Sequence, residues 1–247
     1  MKSILSVPIP KGSTQRDVNY QILKYLTGKK ITKILDIPCG SGQFIKTFMA
    51  IFKPGIAYGA DIFAANPQSD FTMKQLDASK GFDFSDEVEQ GFDLITSISG
   101  VMEFDNTSGF IQSCKHNLAK DGCLIITNDN CFTLRDRITY LFIGKFRRFK
   151  LLRNKYSATW KYLALGELEK IIQENNLCIT KVIYSAFYIE DLIFLPFAIA
   201  LYPLHILYLL THAREYSFEY KISLFPFKSL LFRHYILVCE HSIPTDE

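Results

Sequence analysis

A short apolar run that ends near an acid and is followed by two closely spaced glycines is the first group of residues suited to binding a ligand. The segment reads I-L-D-I-P-C-G-S-G-Q-F, with Asp36 near the end of the run and Gly40 and Gly42 behind it. Glycines between a buried strand and a helix let the backbone approach a ligand, and the helix predicted over 43–52 offers unpaired N–H groups at its start. We therefore expect a nucleotide-type binding turn. Ile45 stands where dinucleotide-binding enzymes place a third glycine, so the segment departs from their fingerprint.

Two further acids follow strand-like runs later in the chain. Asp61 ends the run G-I-A-Y-G-A-D, and Asp77 follows the strand predicted over 71–76. An acid at the end of the second strand of a nucleotide-binding unit can accept hydrogen bonds from both hydroxyls of a ribose. A helix-capping or solvated loop aspartate would give the same pattern at either position.

Taken together, these residues resemble motif I and the following acidic positions of the class I S-adenosylmethionine-dependent methyltransferases. Their usual motif is an acid on the strand followed by G-x-G-x-G, and Pro38 stands where the first of these glycines usually stands. The resemblance implies S-adenosylmethionine as cofactor, with Asp61 on the ribose, Asp77 on the adenine amino group and the Ala78 N–H on the ring. The residues that it places at the cofactor are Asp36, Pro38, Cys39, Gly40, Gly42, Phe44, Asp61, Ile62, Asp77, Ala78, Ser97, Ile98 and Ser99.

The end of the predicted fourth strand, over 92–97, is the place where the resemblance puts the sulfonium and the substrate. In the small-molecule branch, which includes quinone-biosynthesis enzymes, Glu-His often stands where this chain has Glu103-Phe104. The missing histidine removes an evident proton acceptor, so we assign no general base there. His205 is the sharpest remaining candidate because it is a lone histidine in an apolar segment, although a buried histidine with satisfied hydrogen bonds fits the same pattern.

The order of strands and helices predicts an α/β fold. Continuous apolar strands alternating with helices call for a mostly parallel sheet with helices on both faces. The resemblance implies a Rossmann-like sheet of seven strands whose last strand is antiparallel. We expect one domain over 1–247, with the parts 13–28 (N-terminal helix), 30–185 (cofactor-binding core), 186–233 (apolar helical insert between the sixth and seventh strands) and 234–241 (last strand).

Composition limits the classes of function. The 28 Lys and Arg against 25 Asp and Glu give a net charge of +3, which is too small to indicate a nucleic-acid partner. The 6 cysteines stand singly, with no C-x-x-C pair and no histidine at zinc spacing, so we expect reduced thiols, no metal site and a cytoplasmic protein. The start of the chain shows no signal-peptide pattern. An RNA methyltransferase is disfavoured because Ser97-Ile98-Ser99-Gly100 replaces the Asn-Pro-Pro-Tyr-like tetrapeptide of base-methylating relatives.

A basic and aromatic stretch over 145–155 has two interpretations. It contains no acid, and its basic residues are Lys145, Arg147, Arg148, Lys150, Arg153 and Lys155. Long basic side chains on a solvated face often cover apolar surface with their stems. The same residues could instead face the phosphates of an anionic lipid, a lipid-linked phosphate or a nucleic acid.

The segment over 192–210 carries no formal charge and is long enough to be a transmembrane candidate. A single crossing would separate the sixth and seventh strands, which must pair in one sheet. We therefore expect a buried helix pair, a re-entrant hairpin or an interfacial helix, broken into short pieces by Pro196 and Pro203. A membrane, contacted through 145–155 and 192–232, is the favoured partner. A second subunit, including a homodimer, and a cap over the substrate cleft are the alternatives.

The sequence as a whole predicts an S-adenosylmethionine-dependent methyltransferase. Methyl transfer from a sulfonium requires donor and acceptor at near-attack distance with water excluded. We expect a small or lipid-linked acceptor, such as a quinone-like ring or a glycan, near the cytoplasmic face of a membrane. The alternative is a catalytically silent methyltransferase-like subunit or a membrane-associated interaction protein, and the intact Asp36, Gly40, Gly42 and Asp61 favour the enzyme.

Overall fold

The computed structural model describes residues 3–9, 16–63, 70–152 and 160–242. The start of the helix predicted over 13–28 lies outside these ranges at residues 13–15. In chain order, the strands and helices are β1 (Ser3–Ile4), β2 (Val7–Pro8), α1 (Arg16–Leu26), β3 (Lys33–Asp36), α2 (Gln43–Phe52), β4 (Ile56–Asp61), β5 (Thr72–Gln75), β6 (Phe92–Ile98), α3 (Thr107–Asn117), β7 (Leu118–Asp129), α4 (Leu134–Ile143), α5 (Leu165–Glu174), β8 (Leu177–Ser185), α6 (Leu195–Thr211), α7 (Phe218–Leu224) and β9 (His234–His241).

Seven of these strands form one sheet in the order β5-β4-β3-β6-β7-β9-β8. The pairs on the β5 side of β7 are parallel, whereas β9 is antiparallel to both β7 and β8. β1 and β2 form a separate small hairpin. The predicted Rossmann-like sheet with an antiparallel last strand is therefore confirmed.

Both faces of the sheet are covered because its central strands are apolar on both sides. Neighbouring strand residues point to opposite faces, so Leu35 joins a cluster that includes α3 and α5, while Ile34 joins a cluster that includes α1 and α2. Helix α2 contributes Phe44, Ile45 and Phe48 to the second cluster, at the spacing of one helical face.

The chain reverses its direction of travel across the sheet at β3. It runs outward from β3 to β4 and β5, and then returns to place β6 on the other side of β3. In parallel α/β sheets, ligands bind outside the carboxyl ends of the strands at such a switch point. A binding site is therefore expected at the ends of β3, β4 and β6.

The connection between β8 and β9 contains a long helix that the prolines do not break. A 3-10 turn over Ile189–Phe194 leads directly into α6, with Pro196 in its first turn and Pro203 in its interior. The prediction of short pieces was wrong. A proline in the first turn gives up an N–H that has no helical partner, and an interior proline removes one hydrogen bond from a helix that otherwise continues.

This helix is unusually exposed for its composition. In the described part of the chain, only the run Ile189–Thr211 is a helix long and apolar enough to cross a membrane by length and composition, and 17% of its 18-residue window is buried. On its inner side, Ala198 packs with Leu134 of α4 and with Leu230 and Leu231.

Candidate active site

The turn between β3 and α2 is held open by its two glycines. Gly40 and Gly42 have φ values of +52° and +72°, which is the left-handed region that favours glycine. A Cβ at Gly42 would lie 2.6 Å from the Phe71 ring, whereas a Cβ at Gly40 would meet nothing within 4 Å. Gly42 is therefore required by packing as well as by conformation, and Gly40 leaves open space beside the backbone.

Asp36 lies beneath this turn and is fully buried. The hydroxyl of Thr96, on the neighbouring strand β6, donates a hydrogen bond of 2.7 Å to Oδ1 of Asp36. Burial raises the pKa of the Asp36 carboxyl to about 7, and the nearby Asp61 adds to that rise. This carboxyl joins the ends of β3 and β6 from below.

Asp61, at the end of β4, contacts the glycine turn directly. Its Oδ2 accepts a hydrogen bond of 2.8 Å from the Gly40 N–H, and its Oδ1 accepts one of 3.2 Å from the Phe63 N–H. The backbone beside it is joined to the same turn, because the Cys39 N–H donates to the Ala60 carbonyl at 2.9 Å. The carboxyl expected at the ribose therefore also orders the turn.

Asp77 follows β5 and starts a short 3-10 turn. Its Oδ1 accepts a hydrogen bond of 3.0 Å from the Ser79 N–H, and Lys80 Nζ lies 3.6 Å from its Oδ2. Ala78 is buried behind it. These contacts fix the carboxyl of Asp77 at the edge of the cleft.

These elements enclose a cavity of about 440 Å³ at the carboxyl ends of β3, β4 and β6. The predicted site residues that line it are Pro38, Gly40, Asp61, Ile62, Asp77, Ala78, Ile98 and Ser99. The other predicted site residues, which do not line it, are Asp36, Cys39, Gly42, Phe44 and Ser97. The structure thus brings the three strand ends to one cavity and places the remaining residues in the layer behind its wall.

The end of β6 adopts an uncommon backbone conformation at this cavity. Ser99 has a φ of +59°, and its N–H donates a hydrogen bond of 2.9 Å to the Thr127 hydroxyl on β7. The next residue packs against the glycine turn, since a Cβ at Gly100 would lie 2.3 Å from Pro38 Cδ. A non-glycine residue in the left-handed region is held by its surroundings, and such residues concentrate at functional sites.

Eight of the lining residues were not predicted as site residues: Ile37, Phe63, Leu76, Ser79, Glu103, Phe104, Arg148 and Trp160. Among them, Trp160 contacts both Glu103 and Arg148. The Trp160 indole N–H donates a hydrogen bond of 2.7 Å to Glu103 Oε1, and the guanidinium carbon of Arg148 lies 4.2 Å from the Trp160 ring centroid. No local motif marks Arg148 or Trp160. The chain's single tryptophan was the available signal.

Two residues of the basic stretch turn inward. Arg148 Nε lies 2.9 Å from Asp129 Oδ2, and Arg147 Nη2 lies 3.9 Å from Asp129 Oδ1. The backbone N–H of Arg147 also donates a hydrogen bond of 2.6 Å to Asp136 Oδ1. Both of these carboxyl groups are buried. Arg147 and Arg148 therefore have carboxylate partners within the protein, and the phosphate-facing interpretation stays a prediction for the rest of the stretch. Lys150 is exposed, while Arg153 and Lys155 lie outside the described residues.

His205 is not near this cavity wall. It lines a second cavity of about 460 Å³ between α5, α6 and α7, where its ring packs near those of Phe132 and Phe225. Burial lowers the pKa of its imidazole. The structure therefore does not bring the one predicted proton acceptor to the cleft. Within the described residues, no group of three or more His, Cys, Asp or Glu could hold a metal ion.

Comparison with known proteins identifies the fold. No protein-family signature matches the chain, and no curated protein matches its sequence. The chain is similar to a solved S-adenosylmethionine-dependent methyltransferase from Archaeoglobus fulgidus, with a TM-score of 0.55 and 16% identity, over 90% of this chain and 92% of that one. It is also similar to an O-methyltransferase from a trans-AT PKS multienzyme of Brevibacillus brevis, solved with S-adenosyl-L-homocysteine, with a TM-score of 0.54 and 15% identity, over 92% of this chain and 73% of that one.

The same fold also occurs in a [4+2]-cyclase. The cyclase SpnF has a TM-score of 0.54 and 11% identity, over 92% of this chain and 80% of that one. At these identities the likeness shows the fold. The chain has the class I S-adenosylmethionine-dependent methyltransferase fold. Because one fold can host different reactions, the residues of the cleft determine its activity.

Proposed function

We propose that this protein is an S-adenosylmethionine-dependent methyltransferase of the EC 2.1.1 class. The observation that carries the proposal is the single cavity at the ends of β3, β4 and β6, into which the glycine turn, Asp61 and the pair Asp77-Ala78 converge. That convergence is what a nucleoside bearing a short charged chain requires. The open space beside Gly40 supports the fit, because it leaves room for a ligand against the backbone.

Each wall of the cleft has a part in holding the cofactor. Asp61 would accept hydrogen bonds from the ribose hydroxyls, and Asp77 with the Ala78 N–H would hold the adenine. The turn at Gly40 would contact the amino-acid end. S-adenosylmethionine supplies a methyl group on a positively charged sulfur, and the sulfur departs uncharged, so no acid is required at the leaving group.

The acceptor would lie along the part of the wall formed by Glu103, Phe104 and Trp160. Two aromatic side chains, Phe104 and Trp160, and one carboxylate, Glu103, form this wall. Such a wall suits an acceptor with an aromatic ring or a sugar hydroxyl better than a highly charged substrate. Trp160 also covers the guanidinium face of Arg148, which Asp129 neutralises in part. We propose a small or lipid-linked acceptor, glycan or quinone-like, handled by a cytoplasmic protein at a membrane face.

The alternative is a methyltransferase-like protein without methyl-transfer activity, acting as a subunit or at a membrane. The similarity to the cyclase SpnF supports this alternative, because it illustrates that the fold itself does not determine the reaction. Cofactor binding and turnover in the presence of membrane extracts separate the two.

The experiment is calorimetric titration with S-adenosylmethionine and S-adenosylhomocysteine. We expect micromolar binding to the native chain, weakened about tenfold or more in Asp61→Asn, which retains an oxygen for the Gly40 N–H. Asp86→Asn, an exposed acid outside the cleft, is the matched control. The proposal fails if the folded native chain binds neither compound.

A further inference from the structure

The outer side of α6 is a continuous apolar surface that nothing in the described chain covers. Its members are each more than half exposed, at 52–62%, and we define the outer face of α6 as Phe197, Ile199, Leu204, Leu207, Tyr208 and Leu210. The inner side of the same helix packs on the body through Ala198 and Leu209. A monomeric protein rarely leaves a contiguous apolar patch of this kind in water.

The width of this face indicates what covers it. At 3.6 residues per turn, the arc from Ile199 to Tyr208 spans about 180° of the helix circumference. Packing against a helix of a second copy buries a narrower stripe, because ridges of one helix enter the grooves of the other along a single line. A helix that lies partly sunk in a lipid surface has its whole outer half covered.

The topology fixes how such a helix would lie. β8 pairs with β9 from Leu177, opposite His241, to Ser185, opposite His234. The chain therefore leaves the sheet after Ser185 and re-enters it at His234, at the same end of this strand pair. A helix between them cannot carry the chain across a bilayer and return. It must lie along the surface.

Two acids in the 3-10 turn that leads into α6 pair with arginines from other parts of the protein. Arg233 Nε donates a hydrogen bond of 2.6 Å to Asp191 Oδ2, and Arg135 Nη1 donates one of 2.8 Å to Glu190 Oε1. Asp191 is 2% exposed. These carboxylates therefore present little free negative charge to an approaching anionic surface.

A second apolar and basic element starts from the same cluster. Leu134, at the start of α4, packs with Ala198 of α6, and the far end of α4 exposes Leu141 and Phe142 at 77% and 79%. Lys145 and the exposed Lys150 follow, in a stretch of sequence without an acid between Asp136 and Glu167. Basic residues beside apolar anchors are the combination that holds proteins on anionic membranes.

We propose that the outer face of α6, together with the end of α4, docks on the surface of an anionic lipid bilayer. The connection that contains α6 rejoins the sheet at the edge where the cleft lies, because His234 pairs with Asp129 at the carboxyl end of β7. Resting on the proposed function, the docked protein would take an acceptor whose apolar part stays in the bilayer.

The test is flotation of the purified full-length chain with vesicles of phosphatidylcholine alone or of phosphatidylcholine with phosphatidylglycerol. We expect flotation with both, more with the anionic vesicles, and a loss of the difference in high salt. The double substitution Leu204→Asp with Leu207→Asp should lower the bound fraction by about tenfold or more. Leu5→Asp changes a leucine on the β1–β2 turn that is 72% exposed, against 62% for Leu204 and 57% for Leu207, and this variant should float like the native chain.

Each outcome decides the proposal. Folding is checked by circular dichroism, and S-adenosylhomocysteine binding is measured on the same samples. A native chain that floats with vesicles but does not bind S-adenosylhomocysteine would contradict the proposed methyltransferase function and leave the docking surface supported. A native chain that fails to float, or a double variant that floats like the native chain, overturns the docking surface. A native dimer that ignores vesicles and that the double variant dissociates would assign the face to a second copy.

Discussion

The indole N–H of Trp160 donates a hydrogen bond of 2.7 Å to Glu103 Oε1, which joins two residues 57 positions apart in the chain at one wall of the cleft. The bond fixes the indole plane, and Arg148 lies over its face. Because the chain has one tryptophan, any optical signal from an indole reports on this wall alone.

We expect the emission of Trp160 to change when S-adenosylhomocysteine binds, because the ligand would alter the polarity and quenching around the indole. Fluorescence titration of the native chain measures the effect. Asp61→Asn should shift the same response to higher ligand concentration. An unchanged spectrum in a sample that calorimetry shows to be saturated would place the ligand elsewhere.

Asp36 should make stability depend on pH. Its pKa of about 7 in the folded chain exceeds the ordinary carboxyl value, so the folded chain binds more protons than the unfolded chain between about pH 4 and pH 7. Stability from this group is therefore greatest below pH 4, falls as pH rises through that window by about 2–4 kcal/mol, and is level above it. Urea denaturation across pH measures it.

The matched variants for this prediction are Asp36→Asn and Asp86→Asn. The first removes the ionisation and keeps an oxygen for the Thr96 hydroxyl, so its stability should not show the fall. The second removes an exposed acid and should follow the native curve. A fall of the same size in Asp36→Asn would attribute the pH dependence to other groups.

The two glycines of the turn should respond differently to alanine. Gly42→Ala places a Cβ against the Phe71 ring in a left-handed residue, and we expect a loss of about 2–4 kcal/mol of folding free energy. Gly40→Ala meets open space, so its cost should be about 1 kcal/mol, with a larger effect on cofactor affinity. Thermal unfolding and calorimetry separate the two, and equal losses of stability would contradict the geometry.

The Asp191–Arg233 pair should be the main attachment of the start of α6. Asp191→Ala leaves a largely buried guanidinium with fewer partners, and we expect a loss of about 3–5 kcal/mol in chemical denaturation. Arg135→Ala removes a second partner of Asp191 whose side chain is 36% exposed, and this change should cost about 1 kcal/mol or less. If the two variants lose equal stability, the buried pair has no special weight.

The sequence was sufficient where neighbouring residues decide the structure. Parallel strands end at one edge of a sheet, so the acids after three apolar runs, Asp36, Asp61 and Asp77, could be assigned to one region from the sequence. The glycine turn was predictable for the same reason, because its spacing is local. The sequence did not predict which of these residues line the cavity. Asp36, for example, lies beneath the cavity rather than in its wall.

Contacts between distant segments could not be predicted. Arg147 and Arg148 look like solvated cations in sequence, and only the fold brings the carboxyl groups of Asp129 and Asp136 close to their guanidinium groups. The position of His205 depends on which side of α6 faces the body, and an apolar helix with little amphipathic pattern does not reveal that. Pro203 was misleading because a proline lowers helix stability without forbidding a helix in a packed context.

The pairing of Ser185 with His234 has a consequence for how this protein can change over time. The outermost part of the connection between them can be lengthened, shortened or exchanged without moving the register of β8 against β9, since that register is fixed by pairs inside the sheet. A change confined to that part of the connection would therefore alter what the outer face of α6 contacts, and would leave the strand ends that form the cavity where they are.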